Sequence, residues 1–188
     1  MHMSEILERE LHALAGTRAY GGLEILETGT IRSTDEAHRL GDGWSTVTFA
    51  EYVAAFGGRV TSVDLDTSIA DEVLRTFGLR DVVALHQGYS VSVLADLLVV
   101  NDGRPAFDVV LLDSENDPQL ILHEFMIAKH LLRPGGLLLV DDVVPGSRDV
   151  RKGELLMPYL EREFPERPYA LQKRTGGGVH SGVLAVRL

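Results

Sequence analysis

Short apolar runs alternate with amphipathic helical stretches along almost the whole chain. That alternation is the signature of βαβ units built on a parallel sheet. Ser4–Leu14 reads as a leading helix and Leu23–Glu27 as the first strand. A helix starting near Ser45 places Phe49, Tyr52, Val53 and Phe56 on one face and stops at Gly57-Gly58. Val60–Asp64, Val82–His86, Phe107–Leu112 and Leu137–Val140 read as further strands. Helices at Ser68–Phe77, Ser90–Val100 and Pro118–Leu132 separate them, the last opening on a proline suited to a first helical turn. Val150–Glu163 then reads as helix, and Tyr169–Lys173 and Val179–Arg187 as strands joined through Thr175-Gly176-Gly177-Gly178. So short a link forces antiparallel pairing, because a parallel crossover needs about a dozen residues or more. The pattern predicts one α/β domain over residues 1–188. Its mostly parallel, seven-stranded sheet should end in an antiparallel hairpin, with helices on both faces.

The strand ends carry the chemistry. The first strand closes on Glu27, followed by Thr28 and Gly29, and the second closes on Asp64. The fourth is followed by Asp113 and the fifth by Asp141-Asp142. In open α/β sheets ligands bind outside the carboxyl ends of the strands. Two successive strands that finish on a carboxylate therefore describe a nucleoside site. Taken singly, Gly29 reads equally as a turn residue, Asp64 and Asp142 as caps, and Tyr89 as core. The connection Thr28–Gly43 is long for a strand-to-helix link, where about two to six residues are usual. With Trp44 beside it, this loop is a candidate lid or partner surface.

Composition narrows the partners. The net charge of −10 argues against a nucleic-acid backbone as the main ligand. The basic-leaning segment Arg148–Lys152 reads as a solvated helix face, unless one of its arginines, or Arg32 or Arg39, meets an acidic group on a substrate. The absence of cysteine removes disulfides, thiolate metal sites and a thiol nucleophile together. No apolar run approaches the roughly 18 residues of a membrane span, and the charged first ten residues offer no secretory signal. The expectation is a cytoplasmic protein, with an oligomeric partner as one way to complete a substrate pocket.

Read in order, Glu27-x-Gly29, Asp64, Gly88-Tyr89-Ser90, Asp113 and Asp141-Asp142 resemble a class I S-adenosylmethionine-dependent methyltransferase, a Rossmann-like fold, over nearly the whole chain from Leu23. The local matches point to metal-dependent O-methyltransferases. E-T-G-T-I-R (27–32) resembles the macrocin-type enzymes that methylate antibiotic sugars. L-L-D-S-E-N-D (111–117) and L-R-P-G-G-L-L-L-V-D-D (132–142) are similar to that group, to the cephalosporin hydroxylase group and to catechol O-methyltransferase. The resemblance implies that Glu27, Thr28, Gly29 and Thr30 line the methionine half of the cofactor. It puts Asp64 on both ribose hydroxyls, Gly88, Tyr89 and Ser90 beside the adenine, Ser45 near the cofactor carboxylate and Asp113 at the cofactor's edge. It also implies a divalent cation, Mg²⁺ or Mn²⁺, on Asp113, Asp141 and Asp142, holding a small-molecule hydroxyl.

The sequence departs from that pattern at Asn116, three residues past Asp113. The sugar-methylating and hydroxylase-like groups often carry histidine there, and catechol O-methyltransferase carries lysine. Asparagine cannot take a proton. The catalytic candidates are therefore Asp113, Glu115 and Asn116. Three readings stay open here: Glu115 acts as base, the metal alone acidifies the hydroxyl, or the protein is a scaffold that binds the cofactor without transferring methyl. His123 reads as a surface or packing residue. An NAD-type oxidoreductase is a further alternative through Asp64, weakened because Ile31 and Arg32 stand where a dinucleotide fingerprint places glycines.

Overall fold

The computed structural model describes residues 2–17, 22–37, 44–166, 169–173 and 182–188. Among the described residues six α-helices and seven strands follow in the order α1 (Met3–Ala15), β1 (Leu23–Thr28), α2 (Ser45–Phe56), β2 (Gly58–Asp64), α3 (Ser68–Thr76), β3 (Val83–Gln87) and α4 (Ser90–Val100). Then come β4 (Phe107–Leu112), α5 (Pro118–Leu131), β5 (Leu132–Val140), α6 (Gly153–Glu163), β6 (Ala170–Lys173) and β7 (Gly182–Arg187). The strands form one sheet in the order β3-β2-β1-β4-β5-β7-β6. The first five are parallel, and β7 pairs antiparallel with both β5 and β6. The expected architecture is the observed one.

Alternation along the central strands makes both faces of the sheet. Ile25, Val109, Leu111, Leu137 and Leu139 face one core with Ile6, Leu11 and Phe49 of α1 and α2. Leu26, Val110, Leu112, Leu138 and Val140 face the other, against Leu94, Phe125 and Leu156 of α4, α5 and α6. Strands buried on both sides read as continuous apolar runs, as β4 does. Its one acid, Asp108, is buried but accepts from Arg133 Nη1 at 2.8 Å and from the Glu24 backbone N–H at 2.8 Å.

Several boundaries move. β5 begins five residues early, at Leu132, because Arg133-Pro134-Gly135-Gly136 bulges out where Phe107 pairs with Leu132 and Val109 with Leu137. The last long helix starts at Gly153, so Val150, Arg151 and Lys152 precede it. Trp44, beside the long loop, is buried and sits edge-on to Phe77, ring centroids 5.8 Å apart. Residues 38–43 of the long loop, Arg39 among them, lie outside the described residues, as does the Gly-rich link at 174–181. No helix among the described residues is long and apolar enough to cross a membrane.

Candidate functional site

Parallel pairing sets the strand ends in one row, and a backbone hydrogen bond pins each to its neighbour. Gly88 N–H donates to Asp64 O at 2.8 Å, Gly29 N–H to Val63 O at 2.9 Å, Asp113 N–H to Thr28 O at 2.9 Å and Asp141 N–H to Leu112 O at 3.2 Å. The sheet order thus converts five separated sequence motifs into one edge. Gly29 is needed there for two reasons. Its φ of +86° is a left-handed conformation, and a Cβ on it would lie 2.3 Å from the Asp113 carbonyl oxygen.

A cavity of about 300 Å³ opens on this edge, over β1, β2 and the start of α4. Gly29, Asp64, Gly88, Tyr89 and Ser90 line it, with Arg32 and Glu115, both marked in the sequence for other roles, and Leu65, Ser114 and Leu120, which were not singled out as site residues. Leu65 and Tyr89 are 67% and 53% exposed, two apolar surfaces left uncovered beside the cavity. Asp64 Oδ2 accepts from the Thr30 backbone N–H at 2.8 Å, which fixes the carboxylate against the turn after β1.

Five of the expected cofactor residues, Glu27, Thr28, Thr30, Ser45 and Asp113, are not among those lining the cavity. Glu27, Thr28 and Ser45 are buried. Ser45 Oγ donates to Glu27 Oε2 at 2.9 Å, while Glu27 Oε1 has no hydrogen-bond partner among the described residues. Burial pushes the Glu27 carboxyl up to about 7, against the opposing pull of the Thr46, Ser62 and Ser45 hydroxyls, with Asp113 adding to the rise. Thr28 Oγ1 donates to Glu124 Oε2 at 3.0 Å. Glu124 is a second buried carboxylate, on α5, also raised chiefly by burial while Ser90, Ser114 and Thr28 oppose the rise. Nothing in its helical context marked it. Only the sheet order puts position 124 behind Thr28. Thr30 and Thr46 meet through their hydroxyls at 3.0 Å.

On the other side of the row, Asp113, Asp141 and Asp142 converge as expected, with one carboxylate oxygen from each lying within 4.8 Å of the others. Asp142 holds a left-handed backbone, φ 53°, a strained placement that asparagine and aspartate tolerate best. Sequence reading missed the fourth member. Lys152 is no solvated helix residue: it is 4% exposed, and its Nζ lies 2.5 Å from Asp113 Oδ1. Burial works against its ammonium, but Asp113, Asp142 and Asp141 outweigh that and hold it above the usual lysine range. Burial likewise pushes the Asp113 carboxyl up, with Lys152 and Arg32 opposing and Asp142 adding to the rise. By donor type the three carboxylates suit a hard, oxygen-seeking cation such as Mg²⁺ or Mn²⁺.

Asn116 is occupied in a structural role. Its Nδ2 donates to Asp149 O at 2.6 Å and its Oδ1 accepts from Arg151 N–H at 2.7 Å. Both of its polar ends are thus spent clamping the loop that carries Lys152. Gly153 completes the delivery, because a Cβ there would lie 2.6 Å from Val143 Cγ1. Glu115 is exposed at the cavity wall, and His123 is exposed on α5.

A family model described as a methyltransferase domain matches residues 39–143, more than half of the chain. A proposed O-methyltransferase from Klebsiella pneumoniae superposes with a TM-score of 0.72 at 22% identity, over 98% of this chain and 79% of that one. An O-methyltransferase from Bacillus cereus, in complex with S-adenosylhomocysteine, gives 0.67 at 22% identity, over 99% and 90%. Human methyltransferase-like protein 13, also in complex with S-adenosylhomocysteine, gives 0.63 at 20% identity, over 99% and 79%. No curated protein sequence matches this chain.

Proposed function

The chain belongs to the methyltransferase domain family, as a class I S-adenosylmethionine-dependent methyltransferase, and from that premise we propose that it methylates a hydroxyl of a small molecule with help from a divalent cation. The observation that carries this reading is the adjacency of two unlike sites. An open cavity lined by Asp64, with the exposed Leu65 and Tyr89, shares the sheet edge with a three-carboxylate cluster whose Asp113 directly precedes the cavity-lining Ser114.

In this reading Asp64 takes the ribose hydroxyls, since a carboxylate accepts from both members of a diol. Leu65 and Tyr89 flank the adenine, while Gly88 and Ser90 lie along its edge. The Gly29 turn lets the methionine portion approach the backbone, and Thr30 keeps Asp64 aimed at it. Glu27, Thr28 and Ser45 act from beneath, as the buried polar layer that fixes the turn after β1. Asp113, Asp141 and Asp142 would hold Mg²⁺ or Mn²⁺, which supplies Lewis acidity and a template for the acceptor oxygen. When bound, S-adenosylmethionine would supply the methyl group, which would pass from its sulfur to the acceptor oxygen and leave S-adenosylhomocysteine as the second product. Glu115, on the cavity wall, receives the hydroxyl proton, a role that Asn116 cannot fill.

The test is transfer of labelled methyl from S-adenosylmethionine to a panel of catechols and vicinal sugar diols, with and without a chelator. Cation-dependent labelling of a hydroxyl supports the proposal. Labelling that ignores chelation would remove the cation from it, and labelling confined to amines or carboxylates would remove the acceptor class.

A further inference from the structure

We infer that Lys152 is the cation of the Asp113–Asp141–Asp142 cluster in the resting protein, and that a divalent ion enters the cluster by displacing it. This rests on the reading that such an ion binds there. Lysine is almost never fully buried unless paired, and Lys152 is both buried and seated on Asp113 Oδ1. Its position also runs against its own helix. It stands at the N-cap of α6, the end where the helix dipole disfavours a positive charge. The carboxylates of Asp113, Asp142 and Asp141 act on that ammonium and offset the cost, and Glu124 of α5 also feels its charge.

The chain is built to deliver it. Asn116 grips the backbone at Asp149 and Arg151, immediately before Lys152, and Gly153 lets the next residue pack on Val143 directly after Asp142. An ammonium nitrogen at 2.5 Å and a Mg²⁺-like ion, which binds oxygen at about 2.1 Å, cannot share one lone pair of Asp113 Oδ1. The two cations also repel at such range. Lysine and metal are therefore competing ligands of one cluster, and competition is a negative coupling between them.

The deciding experiment is Mn²⁺ titration of the full chain, read by calorimetry and by the electron paramagnetic resonance of free Mn²⁺, with no turnover involved. Lys152→Met should bind Mn²⁺ at least about tenfold tighter than the parent, a coupling in the ordinary range. Adding Asp141→Asn should cancel the gain and so locate the ion. Asn116→Ala, which loosens the clamp without touching the cluster, should tighten binding in the same direction by a smaller factor, and it serves as the test if Lys152→Met does not fold. Equal affinities across parent and variants would overturn the inference while leaving a metal site in place. Weaker binding in Lys152→Met would overturn it too, since Lys152 would then support the ion. No binding to any of them would overturn it together with the cation-assisted reading.

Discussion

Glu27→Gln should make this protein more stable at alkaline pH and leave it unchanged in acid. Glu27 is fully buried at the end of β1, with one oxygen held by Ser45 and the other lacking a hydrogen-bond partner among the described residues. Its folded carboxyl sits near 7, against an ordinary value of 4.5. Below pH 4.5 both folded and unfolded states are protonated there, and the group costs nothing. Between 4.5 and about 7 the unfolded chain releases the proton while the folded one keeps it, so stability falls as pH rises. Above 7 both are ionised and the full penalty of about 3 kcal/mol remains. Glutamine keeps the shape, still accepts from Ser45, and has the Thr46 and Ser62 hydroxyls within reach for its amide. Urea unfolding of parent and variant should therefore give matching curves near about pH 4 and diverge by roughly 2–3 kcal/mol by about pH 8.5. Curves that stay parallel across that range would refute the argument, because the carboxylate would then be ionised in the folded protein at no cost.

Asp64→Ala should weaken S-adenosylhomocysteine binding by roughly 2–4 kcal/mol, since contacts to a charged acceptor vanish together; an unchanged dissociation constant would show that the cavity over β2 holds something else. Gly29→Ala should destabilise the fold by about 3 kcal/mol or more, because its Cβ meets the Asp113 carbonyl in a left-handed backbone. A urea midpoint within error of the parent's would contradict the close approach.

The fold was readable because short apolar stretches such as Val109–Leu112 of β4, buried on both faces, alternate with helical patterns, and several of them are closed by a carboxylate. Boundaries failed where local signals misled: Pro134 and the two glycines after it read as a loop before β5, yet the strand bulges through them. The cavity-lining residues Gly29, Asp64, Gly88, Tyr89 and Ser90 were legible as strand-end residues. Glu124 and Lys152 were not. Each sits in a helical or pre-helical context where a charged residue ordinarily faces water, and only the packing of α5 and α6 against the strand row turns them inward. Asn116 marked a departure in the sequence, but its meaning needed the two hydrogen bonds to a loop more than thirty residues away.

Calorimetric titration of the parent protein with S-adenosylhomocysteine and, separately, with NAD tests the central claim most directly, because both ligands would use Asp64 and only one suits the turn at Gly29. Saturable binding of S-adenosylhomocysteine at one site per chain, with no heat from NAD, is the predicted result. Binding of NAD without S-adenosylhomocysteine, or of neither, would contradict the assignment of the sheet-edge cavity.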